Sequence, residues 1–216
     1  MSKIIAIMFL LCCGMMLFGC ADDNGRRKAE QQKTIVVTDS VGRKVELPYP
    51  LERVAVCNVY NAELITAVGA IDKIVGVDNY IFKDQSGFKN RFNETQVFGI
   101  SQNAMNYEKL AELSPQAVII TGEGTWRDAQ EMLDRFGIKV IVINSYYTDQ
   151  FADNCRLIGR IFGREEQAEE LVNYFNDKLA YIQKQLQGVP RRSLYFEYRT
   201  LGKTAVPGDY FYKMVE

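Results

Sequence analysis

Twelve tyrosines, no histidine and several asparagines placed directly after apolar runs are the first chemical facts of this sequence. Without histidine, Ser/His/Asp and Cys/His nucleophilic arrangements are excluded. The commonest protein ligand for bare zinc, copper or nickel is missing too. No GxxxxGK[ST] string offers a phosphate cradle. "TGEGTWR" follows an apolar run as a dinucleotide fingerprint would, but Arg127 stands where the third glycine belongs. What remains is the chemistry of recognition.

Five short stretches carry it. The first offers Asn58, Tyr60 and Asn61, the second Asp78, Asn79 and Tyr80, the third Thr121, Glu123, Thr125 and Trp126. The fourth offers Asn144, Ser145, Tyr146 and Tyr147, and a later one Tyr198 and Arg199. Aromatic faces among a few polar donors suit a bulky, partly apolar ligand, and a guanidinium suits its anionic groups. Asn58, Tyr60, Tyr80, Trp126, Tyr146, Tyr147 and Arg199 are therefore the candidate ligand-binding residues; no catalytic residue, metal ligand or cofactor is expected. Other roles stay open. Asn58 and Asn61 fit helix caps equally well, the aromatic residues could pack on their own loops, and Arg199 could be a surface charge. Tyr146 and Tyr147 are adjacent, so at most one is expected to face a cleft.

The elements that must hold these stretches alternate in type. A hairpin is signalled by "TIVVTDSVGRKVELP", with two β-rich runs flanking Asp39-Ser40-Val41-Gly42. "RVAVC", "KIVGV", "QVFG", "AVIIT" and "KVIVIN" read as strands. "NAELITAVG", "NYEKLAELSP" and "TWRDAQEMLDRFG" read as helices stopped by Gly69, Pro115 and Gly137. Strands alternating with helices at this spacing predict an α/β fold with a mostly parallel sheet, and such sheets bind ligands at the carboxyl ends of their strands. The candidate stretches all begin there. The rhythm then changes. Phe151, Cys155, Ile158 and Phe162 form one helical face, and apolar spacing continues from Ala168 to Leu186. A helix over 164–187 would be roughly 36 Å long, enough to run from one lobe to another. "RRSLYFEYR" then reads as a strand and "DYFYKMVE" as the start of a helix, opening a second lobe that is incomplete within these 216 residues.

Charge and the N-terminus bound the setting. A formal net charge of −1 gives no general attraction to nucleic acid. Lys3 precedes an uncharged apolar stretch from Ile4 to Phe18, long enough for a signal-peptide core and short of the about 20 residues of a membrane-spanning helix. "LFGC" at 17–20 resembles the lipobox of bacterial lipoproteins. That resemblance implies removal of residues 1–19 and lipidation of Cys20. Residues 20–33 then form a polar, flexible tether. Of the remaining cysteines, Cys57 and Cys155 lie in apolar periodic segments and read as buried thiols, with a bridge between them open to an exported chain.

Longer strings carry a second resemblance. "DSVGRKVELPYPLERVAVCNVYNAELITAVGAIDKIVGVDN", "NYEKLAELSPQAVII" and "FGIKVIVI" resemble the first lobe of the ABC-importer binding proteins for iron–siderophore, haem and cobalamin. "YFEYRTLGKTAVPGDYFYKMVE" resembles the opening of their second lobe. The resemblance implies a first α/β lobe over 34–147, a helix pair over 148–188 containing the inter-lobe helix, and the start of a truncated second lobe over 189–216. It also implies a non-enzymatic, monomeric receptor, held by lipid on the outer face of the cytoplasmic membrane, that captures a metal chelate between its lobes and passes it to a membrane permease. Glu108 is the matching permease-docking carboxylate. The alternative is a flavodoxin-like, surface-anchored reductase. The lipid site is directly testable: Cys20→Ser is expected to abolish palmitate labelling and release the protein from membranes, and labelling that persists in the variant would contradict it.

Overall fold

The computed structural model describes residues 33–197, 201–207 and 212. The expectations for the signal segment, Cys20, the tether up to residue 32, Tyr198 and Arg199 lie outside the described residues.

The hairpin forms as expected. Strands β1 (Thr34–Thr38) and β2 (Lys44–Pro48) pair antiparallel, with Ile35 opposite Leu47 and Val37 opposite Val45. Val37 and Leu47 turn inward while Val36 is exposed, the period-2 alternation of a half-buried strand. Its tip is built from the DSVGR string. The Asp39 carboxylate is buried and accepts from the backbone N–H groups of Val41, Arg43 and Val142. It also takes the Arg43 guanidinium at 2.6 Å. That guanidinium continues to the Val140 carbonyl at 3.0 Å and to Gln130. One acid–base pair thus fastens the hairpin to the last strand and helix of the main sheet.

That sheet contains β3 (Val54–Val56), β4 (Ile74–Val77), β5 (Ala117–Ile120) and β6 (Lys139–Val142) in the order β4-β3-β5-β6, all parallel. Its strands are apolar at nearly every position because both faces are covered. On one face Val54, Val56, Ile119 and Ile141 pack with α1 (Val59–Ala67) and α5 (Phe151–Phe162). On the other, Ala55, Val118, Ile120 and Val140 meet Leu110 of α3 (Tyr107–Glu112) and Ala129 and Leu133 of α4 (Trp126–Asp134). Gly76 of β4 is required by close packing: a Cβ there would sit 2.8 Å from Leu113 Cδ1. Cys57 and Cys155 are free and buried in opposite clusters. Burial pushes the Cys57 thiol well above its ordinary range and the Cys155 thiol up to about 12.

Two expected strands differ. "QVFG" is reduced to a single bridge from Val97 to Val77. The chain leaves the sheet edge there, because Gly99 bridges back to Met105 and Asn106 N–H donates to the Phe98 carbonyl. Residues 191–197 form no strand; no neighbouring strand among the described residues offers them hydrogen bonds, and a lone strand cannot satisfy its own backbone. Of "DYFYKMVE" only Tyr212 is described, and it is helical.

Helix α5 ends at Gly163, which takes the left-handed conformation (φ 63°, ψ 41°) and turns the chain into α6 (Glu165–Gln185). The long helix is unbroken over 21 residues, about 32 Å. Its first half packs on the core through Ala168 and Val172, and Phe175 meets Phe151 at 4.1 Å between ring centroids. Beyond Phe175 the helix is exposed, with Leu179, Ile182 and Leu186 forming an uncovered apolar row. No helix among the described residues is long and apolar enough to cross a membrane.

The hairpin clamp makes a stability prediction. Asp39→Ala strands the Arg43 guanidinium and three backbone donors, and should cost about 3 kcal/mol in urea unfolding. A loss under about 1 kcal/mol would mean that the clamp is dispensable.

Candidate functional site

The carboxyl ends of β3, β4 and β5 open onto a cleft of about 680 Å³. Its walls are the loops that follow these strands, together with the turn at 101–103. The first two loops are wired together by one buried side chain. Asp78, 2% exposed, caps α2 (Asn79–Lys83) by accepting from Ile81 N–H at 3.0 Å through one carboxylate oxygen. Through the other it accepts from Asn58 N–H, also at 3.0 Å. Asn58 itself takes a positive φ of 77° and caps α1, its side-chain oxygen accepting from Tyr60 N–H at 2.9 Å. The capping role left open for Asn58 is therefore the observed one, and Asn58 also lines the cleft.

With both loops held, Tyr60 and Tyr80 stand on the rim, 50% and 62% exposed. Glu63 follows Tyr60 by three residues on α1 and shares its face. Burial, then the charge of Asp84, raises the Glu63 pKa above its ordinary value. The far wall depends on Gln102. Its side-chain oxygen accepts from Thr121 N–H and hydroxyl at 3.0 and 2.8 Å, and its amide donates to the Glu123 carbonyl at 2.5 Å. Ser101, Gln102, Asn103 and Glu63 are cleft residues that sequence reasoning missed. The polar run "SQNAMN" after "QVFG" was the available signal, and only the pairing of Gln102 with Thr121 turns it toward the site.

The other candidates fall elsewhere. Trp126 lies in the core cluster, 9% exposed, with the Arg43 and Arg127 guanidiniums over its ring at 4.3 and 4.2 Å, and is not among the residues around the cleft. Two cation–π contacts on one buried ring make it a structural post. The rings of Tyr146 and Tyr147 lie against each other, with centroids 4.5 Å apart. Tyr146 OH donates to Glu123 Oε1 at 3.1 Å, and burial, helped by Tyr147 and the Glu123 charge, holds its phenol far above the ordinary value. Tyr146 thus holds Glu123, and neither tyrosine is among the residues around the cleft. Asn61 donates to the Cys57 carbonyl and accepts from Ser145 Oγ, so it fixes the fourth loop to α1. Asn144 accepts from Gly122 N–H at 2.7 Å and fixes the third. Glu108 is exposed in the first turn of α3. No group of three or more Cys, Asp or Glu among the described residues could hold a metal ion.

A profile described as periplasmic binding protein matches residues 54–213, well over half of the chain. The chain belongs to the periplasmic binding protein family. Its members bind substrates and are not enzymes, so the alternative of a surface reductase falls. Solved structures agree on the fold. A periplasmic solute-binding protein from Veillonella parvula is 26% identical, with a TM-score of 0.56 over 73% of this chain and 50% of its own. SirA of Staphylococcus aureus, solved with staphyloferrin B, is 21% identical, with a TM-score of 0.59 over 71% of this chain and 51% of its own. The vitamin B12-binding protein BtuF of Vibrio cholerae is 21% identical, with a TM-score of 0.52 over 65% and 53%. Among curated proteins none is a significant match. The chain spans about half the length of the solved structures that it matches. Family membership implies an extracytoplasmic place of work.

Asp78 yields a pH prediction. Burial raises its folded-state pKa above the ordinary 3.8, against the opposing effect of its backbone hydrogen bonds. A raised carboxylate contributes stability that is complete below the unfolded value and is lost as pH rises through the folded one. The unfolding free energy of the wild type minus that of Asp78→Asn should therefore grow as pH falls through the raised value toward the ordinary one. A difference that shrinks on acidification would contradict the assignment.

Proposed function

We propose that this protein is the extracytoplasmic substrate-binding component of an ABC importer and that it captures a metal chelate for delivery to a membrane permease. An iron–siderophore is the first candidate, with haem and cobalamin the others. The observation that carries this reading is the cleft itself: about 680 Å³ at the carboxyl ends of parallel strands, rimmed by two exposed tyrosines, in a member of the periplasmic binding protein family. That volume lies within the range of small-molecule sites, and such sites combine aromatic surface with a few placed polar groups. Structures of similar fold include proteins solved with staphyloferrin B or described as binding petrobactin, haem and vitamin B12.

The parts divide as follows. Tyr60 and Tyr80 offer aromatic faces to the ligand, with Asn58 and Gln102 as hydrogen-bonding groups between them. Arg199, beyond the long helix in sequence, supplies a guanidinium to anionic groups of the ligand. Glu108, exposed on α3, is the contact for the permease. Cys20 carries the lipid, and the residues after it give the receptor reach from the membrane. The receptor acts as a monomer. No bond is made or broken in the ligand.

Equilibrium dialysis of the full chain against ferric siderophores, haem and cobalamin should find at least one saturable ligand. Tyr60→Ala and Tyr80→Ala should each weaken that ligand about tenfold, the size expected when an aromatic anchor is truncated. The reading is overturned if none of the three classes binds, or if both tyrosine variants bind as the wild type does.

A further inference from the structure

The cleft has a sign. Three carboxylates line it, from Glu63, Asp78 and Glu123, and among the described residues no lysine or arginine does. The cleft itself, not this charge, makes the site; the carboxylates only decide which ligands it accepts. Among the described residues none of the three forms an ion pair with a lysine or arginine. Asp78 is held by backbone N–H groups and Glu123 by the Tyr146 hydroxyl, all neutral donors. Arg127, close in sequence to the third wall, is stacked on Trp126. The rim adds to the same preference, because the faces of Tyr60 and Tyr80 are exposed and an aromatic face attracts a cation.

Resting on the reading above, we infer that this cleft selects neutral or positively charged ferric chelates of the trihydroxamate class and discriminates against polyanionic chelates. The charge balance of the ligands explains the distinction. Three monoanionic hydroxamates neutralise one ferric ion, so an added ammonium group makes the complex cationic. Catecholates and hydroxycarboxylates leave their ferric complexes anionic. An anionic complex in this cleft would bring like charges together in a partly desolvated space, which is unfavourable. A cationic trihydroxamate would meet carboxylates and tyrosine faces instead.

The test is a paired titration of the full chain with ferrioxamine B, a cationic ferric trihydroxamate, and ferric enterobactin, an anionic tricatecholate, by equilibrium dialysis at low and high salt. Ferrioxamine B should bind at least about tenfold more tightly at low salt, and the gap should narrow as salt screens the carboxylates. A variant carrying both Glu63→Gln and Glu123→Gln should close most of the gap. The salt series on the wild type tests the same point without relying on the variant's folding. Ferric enterobactin binding as tightly as ferrioxamine B, or a gap indifferent to salt, overturns the inference while leaving chelate capture intact. So does binding of haem or cobalamin with neither siderophore bound. Failure of every chelate to bind overturns the proposed function together with the inference.

Discussion

The cleft depends on one buried carboxylate. Asp78 sits at the end of β4 and accepts backbone hydrogen bonds from both neighbouring loops, one from Asn58 and one from Ile81. Each loop alone would end in unpaired N–H groups at a helix start, a cost that capping removes. By serving two loops at once, Asp78 also sets their separation, and that separation spaces Tyr60 from Tyr80. Burial of the charge is unfavourable, as the raised pKa records. The backbone donors offset that cost only while both loops stay in place. A single electrostatic arrangement therefore couples local folding to the shape of the site.

The rest of the molecule keeps the strand ends fixed. Four parallel strands covered on both faces cannot shift register without exposing apolar side chains. The Asp39–Arg43 clamp then ties the hairpin to β6 and steadies Trp126 under its guanidinium. Gln102 and Asn144 do the same for the third loop, through Thr121 and Gly122. Most amides that suggested ligand contact from sequence prove to hold loops. Tyr60 and Tyr80 remain exposed at the rim, with Glu63 and Glu123 lining the cleft beside them.

Legibility in the sequence followed the range of the interactions. "RVAVC", "KIVGV", "AVIIT" and "KVIVIN" were readable as strands because burial on both faces leaves a continuous apolar signature, and Gly69 and Gly137 marked helix ends through a purely local backbone need. The long helix was readable from its apolar spacing, and its observed bounds differ from the expected ones by one and two residues. "QVFG" and 191–197 failed as strands, since strand pairing depends on a neighbour that local composition does not specify. The cleft was half readable. Asn58, Tyr60 and Tyr80 follow strand ends directly, whereas Gln102 reaches the site by pairing with a residue 19 positions away. The surroundings of Trp126 were hidden for the same reason: its partner Arg43 comes from the distant hairpin.

The central claim is that the space between Tyr60, Tyr80 and Gln102 is where a metal chelate rests. Crystals of the full chain grown with whichever chelate dialysis shows to bind, measured at the absorption edge of its metal, test it most directly. The account predicts one anomalous metal peak inside that cleft. A peak elsewhere on the protein, or none, would contradict it.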